Sequence, residues 1–189
     1  SMYNNTTGRF NTALGVDVLN ANTTGSANTA AGFEALRKNT TGYSNVAMGA
    51  GALFNNTNGN NSVAIGDSSL FSSTAPFNIY IPNTAVGSKT LYSNSSGFGN
   101  QAMGALALFA NTIGALNTAI GYRALRNNNA NENTAIGFDA LYNNTTGYEN
   151  VALGNNALDN NYDGYENTAV GNSALTNNQS GAFFGLECR

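Results

Sequence analysis

Residues 133–149 read NTAIGFDALYNNTTGYE, residues 150–166 read NVALGNNALDNNYDGYE, and NTAVGNSALTNNQSG follows from residue 167. Three consecutive segments place the same Asn, Ala, Gly and Leu at the same offsets. Within NTAIG the residues alternate: Thr134 and Ile136 fall on one face of an extended chain, and Asn133, Ala135 and Gly137 on the other. A strand read this way has one face of small side chains and one face of larger ones.

Worked outward, the same beat fills the chain. The glycine recurs as Gly15, Gly32, Gly49, Gly66, Gly87, Gly104, Gly121, Gly137, Gly154 and Gly171, at intervals of 17 residues except for one of 21 and one of 16. Four residues after each stands a leucine: Leu19, Leu36, Leu53, Leu70, Leu91, Leu108, Leu125, Leu141, Leu158 and Leu175. A second glycine follows in most units, as in Gly25, Gly42 and Gly147. A period of 17 is too short for helical repeats and suits one coil of a β-solenoid. The expectation is an all-β parallel β-roll of about ten 17-residue coils. Each coil has a strand at NTAIG, a second short strand at ALxxN and turns between them. In the NTTG turn, Asn bonds its own backbone and Gly takes positive φ. Stacking at about 4.8 Å gives a rod of roughly 50 Å.

Residues 1–10 read as part of one more repeat, 11–181 as the solenoid, and 182–189 as a cap or the start of a further domain. The opening Ser-Met reads as residues added ahead of a fragment.

Stacking predicts columns. One runs through Asn28, Asn45, Asn117, Asn133 and Asn150, another through Asn22, Asn39, Asn111, Asn144 and Asn161. Asn carries two donors and an acceptor, so a column can bond along its own axis. The core of one coil is thin for the conformational entropy of seventeen residues. Aromatic residues near the turns (Phe33, Tyr43, Phe54, Tyr122, Phe138, Tyr148) or further chains are expected to help. The Ala/Gly face is read as a seam for close approach, and hence the assembly as a parallel homotrimer.

Composition narrows the function. The chain has 9% charged residues, 22 Gly, nine Tyr, ten Phe and no His, against about 25% charged residues in an ordinary domain. Net charge −3 and scattered basic residues argue against nucleic acid as a partner. No apolar run approaches the length of a membrane span. One cysteine, Cys188, makes no internal disulfide. With no His, Ser-His-Asp and Cys-His catalysis and most zinc sites are excluded. Among the carboxylates Asp67, Asp139, Asp159 and Asp163, nothing marks the pair a glycan hydrolase needs. No cofactor is expected, and no enzyme.

The run NSVAIG at residues 61–66, with NTAVG and NVALG elsewhere, resembles the head repeats of YadA-like trimeric autotransporter adhesins. NTAxGxxAL and NNTTG are also similar to repeats of phage tail-fibre proteins. The resemblance runs from about residue 5 to residue 181. It implies a left-handed parallel β-roll, three chains side by side, bound to host-surface molecules outside the cell or on a virion. The unit of seventeen is longer than typical adhesin head repeats.

Function is therefore expected to be host- or cell-surface attachment: non-catalytic binding of carbohydrate or another surface polymer. The alternatives are a purely structural fibre spacer, an ice-binding solenoid, or a tailspike glycan hydrolase. Val46, Val63, Gln101 and Val151 interrupt the Thr column an ice-binding face would need. A uniform rod offers no unique pocket, so the ligand is expected where the repeat breaks. The break is an insertion at 71–82, and its candidate binding residues are Phe77, Asn78, Tyr80 and Asn83. A weak metal candidate is Asp159, Asp163 and Glu166. Glu132, Glu149 and Glu166 stack like charges and are expected to splay into solvent.

Overall fold

The computed structural model describes residues 1–74 and 81–178. It is a parallel β-solenoid with one three-residue strand per coil. The strands are β1 (Thr12–Leu14), β2 (Thr29–Ala31), β3 (Val46–Met48), β4 (Val63–Ile65), β5 (Thr84–Val86), β6 (Gln101–Met103), β7 (Thr118–Ile120), β8 (Thr134–Ile136), β9 (Val151–Leu153) and β10 (Thr168–Val170). They form one sheet in chain order. Register is kept residue for residue, as in Ala119 opposite Ala135 and Ala135 opposite Ala152. No helix occurs among the described residues.

The second strand expected at ALxxN is a turn. The leucine there has φ between 50° and 53° in every coil, the left-handed region that costs an L-residue roughly 1–2 kcal/mol. The coil accepts this cost because three left-handed corners close it within seventeen residues. One corner is the leucine, one lies two residues after the glycine (Glu34, Arg123), and one precedes the buried Asn (Glu132, Glu149). The leucine corner turns its side chain inward, where Leu36, Leu53 and Leu125 are wholly buried. The backbone there still bonds along the rod, Leu125 N–H to Ala140 C=O at 2.9 Å and Leu141 N–H to Ala157 C=O at 2.9 Å.

The faces of the strand are the reverse of the seam expectation. The central Ala of β2 to β10 points into the coil and is buried, as at Ala119, Ala135 and Ala152. With the leucine and a second alanine (Ala124, Ala140, Ala157) it makes the core. An interior this narrow has room for Ala opposite Leu and little more, so the small face is an inside and cannot be a contact between chains. The alternating residues, Thr, Val or Gln101 and then Ile, Leu, Met, Val or Ala31, point outward.

Both Asn columns are buried and bonded along the axis. Asn150 Nδ2 donates to Asn133 Oδ1 at 3.0 Å and to Gly164 C=O at 2.7 Å. Asn39 Nδ2 donates to Asn22 Oδ1 at 2.8 Å and to Gly42 C=O at 3.0 Å. Among the described residues no buried side-chain polar atom lacks a partner. The turn glycine is required for room, not for positive φ. A Cβ on Gly42 would lie 2.5 Å from the Gly59 carbonyl oxygen and 3.1 Å from Asn56 Nδ2.

The two irregular units are absorbed without disturbing the sheet. Columns hold through Thr74, which bonds Ser95 C=O, and resume at Ile81, which accepts from Gly99 N–H. The extra residues of the long unit therefore lie within 75–80, outside the described residues. In the short unit Asn129 Oδ1 accepts from Thr112 N–H and Ile113 N–H, replacing a backbone carbonyl.

Candidate functional site

Of the candidate ligand residues, Phe77, Asn78 and Tyr80 lie outside the described residues. Asn83 is 5% exposed and belongs to the buried column. Its Nδ2 donates to Gly97 C=O at 2.8 Å and its Oδ1 accepts from Asn100 N–H at 2.9 Å. Among the described residues no group of His, Cys, Asp and Glu is placed to hold a metal ion, so Asp159, Asp163 and Glu166 are not brought together. Glu132, Glu149 and Glu166 are exposed, splayed from one corner of successive coils.

Two features of the exterior stand out. The first is the outward side of the sheet. Leu14, Met48, Ile65, Met103, Ile120 and Leu153 form an exposed apolar strip along the rod, with Leu14 at 72% and Met103 at 53%. The strip is one side chain wide and ten strands long, roughly 45 Å in length, with Ala31 as its small member in β2.

The second is the side built from positions two, five and six after the repeating glycine. Phe54, Phe71, Tyr92 and Phe109 all stand five after it. Their rings stack along the axis at centroid separations of 5.0, 5.3 and 5.4 Å, within 13° of parallel. Each end of this column meets a cation. Arg37 and Lys38 lie 5.7 and 5.2 Å from the Phe54 ring, and Arg126 lies 5.2 Å from the Phe109 ring and 5.7 Å from Tyr142. Basic residues that are scattered along the sequence are thus gathered on one side of the rod. The signal was available in the repeat: the position five after glycine is Arg, four aromatics and Arg in six consecutive units. Of the aromatic residues expected to pack near the turns, only Phe54 belongs to this column.

Arg123 sits where this side continues. Its guanidinium lies 5.1 Å from the Tyr122 ring, 5.6 Å from Phe138 and 4.9 Å from Tyr142. It also pairs with Asp139, Nε donating to Oδ1 at 2.8 Å and the second nitrogen to Oδ2. That hydrogen bond raises the Arg123 pKa against the opposing cost of desolvation. Below the cluster, Asp159 is pushed above the usual carboxylate value by desolvation and then by the Asp139 charge, against help from Asn156 and Arg123.

A carboxylate whose folded pKa is raised costs stability as pH climbs from its unfolded value through its folded one. Asp159→Asn is therefore expected to leave the melting temperature nearly unchanged at pH 4 and to raise it modestly at pH 7. Melting curves of both proteins at the two pH values check this. A variant that melts lower at pH 7 would mean that the charged form is held favourably.

Compared with known proteins, the chain matches no family model, no curated protein and no solved structure. Among the described residues no helix is long and apolar enough to cross a membrane.

Proposed function

We propose that the chain is a segment of an extracellular attachment fibre, on a cell surface or a virion. In this reading it assembles as a parallel homotrimer and holds a surface polymer without turning it over. The observation that carries this reading is the apolar strip on an otherwise satisfied rod. Polar groups inside each coil are bonded, yet a line of Met, Ile, Leu and Val side chains, narrowed at Ala31, lies on the outside of the rod. Apolar area on that scale marks an interaction surface. Three rods around an axis bury each strip against two neighbours and keep the remaining sides free. The trimer is also what the resemblance to adhesin heads implies. The thin core of each coil gives it a physical reason, through the outward strand face in place of the alanine face.

The exterior supports attachment in place of chemistry. Asn, Ser, Thr and Tyr hydroxyls and amides suit sugar hydroxyls. A second reading, the pure spacer, is favoured by the uniformity of the coils.

Light scattering tests the assembly. The expected mass is three times the 19.5 kDa of the chain. Met103→Lys with Ile120→Lys is expected to reduce it to one chain, with the β-type circular dichroism retained. A wild-type monomer would overturn the trimer, and a dimer would require two strips face to face. Binding of the assembled chain to host-surface polymers decides between attachment and spacer.

A further inference from the structure

We propose that the stacked-ring side is a binding strip for a linear acidic polysaccharide lying along the rod axis. This deepens the attachment reading and rests on it. The strip runs from Arg37 through Phe54, Phe71, Tyr92 and Phe109 to Arg126, six coils and roughly 25 Å at the coil spacing.

Ring orientation selects the ligand class. Phe71 and Tyr92 each stack on a neighbour above and below, so neither has a free face. A sugar ring or a nucleobase cannot lie flat on them. What they present outward is the ring edge, the positive part of the aromatic quadrupole. A line of such edges favours oxygen-rich, negatively charged groups over apolar ones.

The charges agree. Arg37 and Lys38 at one end and Arg126 at the other are held against ring faces. Of these, Arg37 shares its charge with Glu34 at 3.0 Å. Among the described residues the Lys38 and Arg126 side chains hydrogen-bond only neutral side-chain amides, Lys38 Nζ to Asn55 Oδ1 at 2.9 Å and Arg126 to Asn127 Oδ1 at 3.1 Å. Together with the exposed Lys89, two after Gly87 on the same side, they are the cations available to a ligand. Asp159 ends the favourable stretch beyond Tyr142, in the same column.

Beside the rings, the column six after glycine supplies hydrogen-bonding groups. Asn55, Ser72 and Ser93 stand there beside Phe54, Phe71 and Tyr92, with Ala110 beside Phe109, and Asn127 closes the strip beside Arg126. The strip has rings of one kind at one spacing and no end wall. It therefore fits a regular polymer whose units recur along the axis and not a compact ligand. Nucleic acid is disfavoured although it is also a linear polyanion. Single strands are held by stacking bases on free aromatic faces, and these faces are taken.

Fluorescence anisotropy with labelled oligogalacturonate, a neutral galactan of equal length and a single-stranded oligodeoxynucleotide tests the proposal on the full assembled chain. Oligogalacturonate is expected to bind most tightly, and more weakly as salt is added. Lys38→Gln with Arg126→Gln is expected to weaken it at least tenfold, with mass and circular dichroism unchanged. Lys38→Gln alone, at an exposed site, is expected to weaken it by a smaller factor. Arg9→Gln, outside the strip, is expected to change nothing. Equal binding of the neutral galactan, equal or tighter binding of the oligonucleotide, or full retention by the double variant would overturn the acidic strip. If the neutral galactan binds and the uronate does not, attachment survives and this strip fails. If no polymer binds, both fail and the spacer remains.

Discussion

Gly87→Ala is expected to destabilise the rod by about 2–6 kcal/mol, the sum of a strained backbone conformation and an overpacked contact. Gly87 has φ +135°, which L side chains rarely adopt, and a Cβ there would sit 2.7 Å from the carbonyl carbon of Gly104 and 2.8 Å from Thr90 Oγ1. The obstacle is the backbone of the next coil, so it can yield only by separating the coils. Gly51→Ala is the internal comparison. Gly51 has φ +66° and its nearest neighbour would be Phe71 Cδ2 at 3.3 Å, so the expected cost is about 1–2 kcal/mol from the left-handed backbone. Denaturant unfolding of both variants checks the difference. A Gly87→Ala midpoint no lower than that of Gly51→Ala would show that the coils are not locked at the glycine column.

Asn133→Asp is expected to cost about 3–5 kcal/mol at neutral pH, through a buried charge and lost donors. Asn133 Nδ2 donates to Gly147 C=O at 2.8 Å, Asn131 C=O at 3.1 Å and Asn128 Oδ1 at 3.2 Å. The substitution sets an acceptor against three acceptors. Burial would raise the pKa of the new carboxyl in the folded state, so the folded form would bind a proton more readily than the unfolded one. The penalty is therefore expected to shrink as pH falls toward 4 and to grow as pH rises through the folded value. Unfolding measured across that range checks it, with Asn133→Ala as the charge-free comparison. A penalty flat with pH would mean that the new charge reaches water.

The period, the single sheet in chain order and both Asn columns were legible in the sequence because stacking demands identity at every coil. Which face of NTAIG points inward was not. Alternation at Thr134, Ala135 and Ile136 is the same whichever side is buried. What decides it is the width of a coil closed by seventeen residues, which holds Ala135 opposite Leu141 and leaves no space for Ile136. The left-handed leucines were hidden for a related reason. Nothing in leucine prefers φ near 50°; closure imposes it, and burial of the side chain compensates. The aromatic column was legible in principle, since Phe54, Phe71, Tyr92 and Phe109 share one offset, but its stacking required the coil spacing. The candidate loop at Phe77, Asn78 and Tyr80 broke the repeat, and a broken repeat gives no register from which to place side chains.

The direction of the hydrogen bonds sets how such a rod behaves under tension. Bonds such as Asn150 to Asn133 and Leu141 N–H to Ala157 C=O run from coil to coil. A pull on the two ends of the chain therefore loads the outermost coil first and peels it from its neighbour. Each coil released turns about 4.8 Å of rod into seventeen extended residues, roughly 55–60 Å of chain. Since each coil touches only its neighbours, the loss stops at the next interface and can reverse from that template. A tether made this way lengthens in steps under drag, shedding load coil by coil while the rest of its length stays stiff.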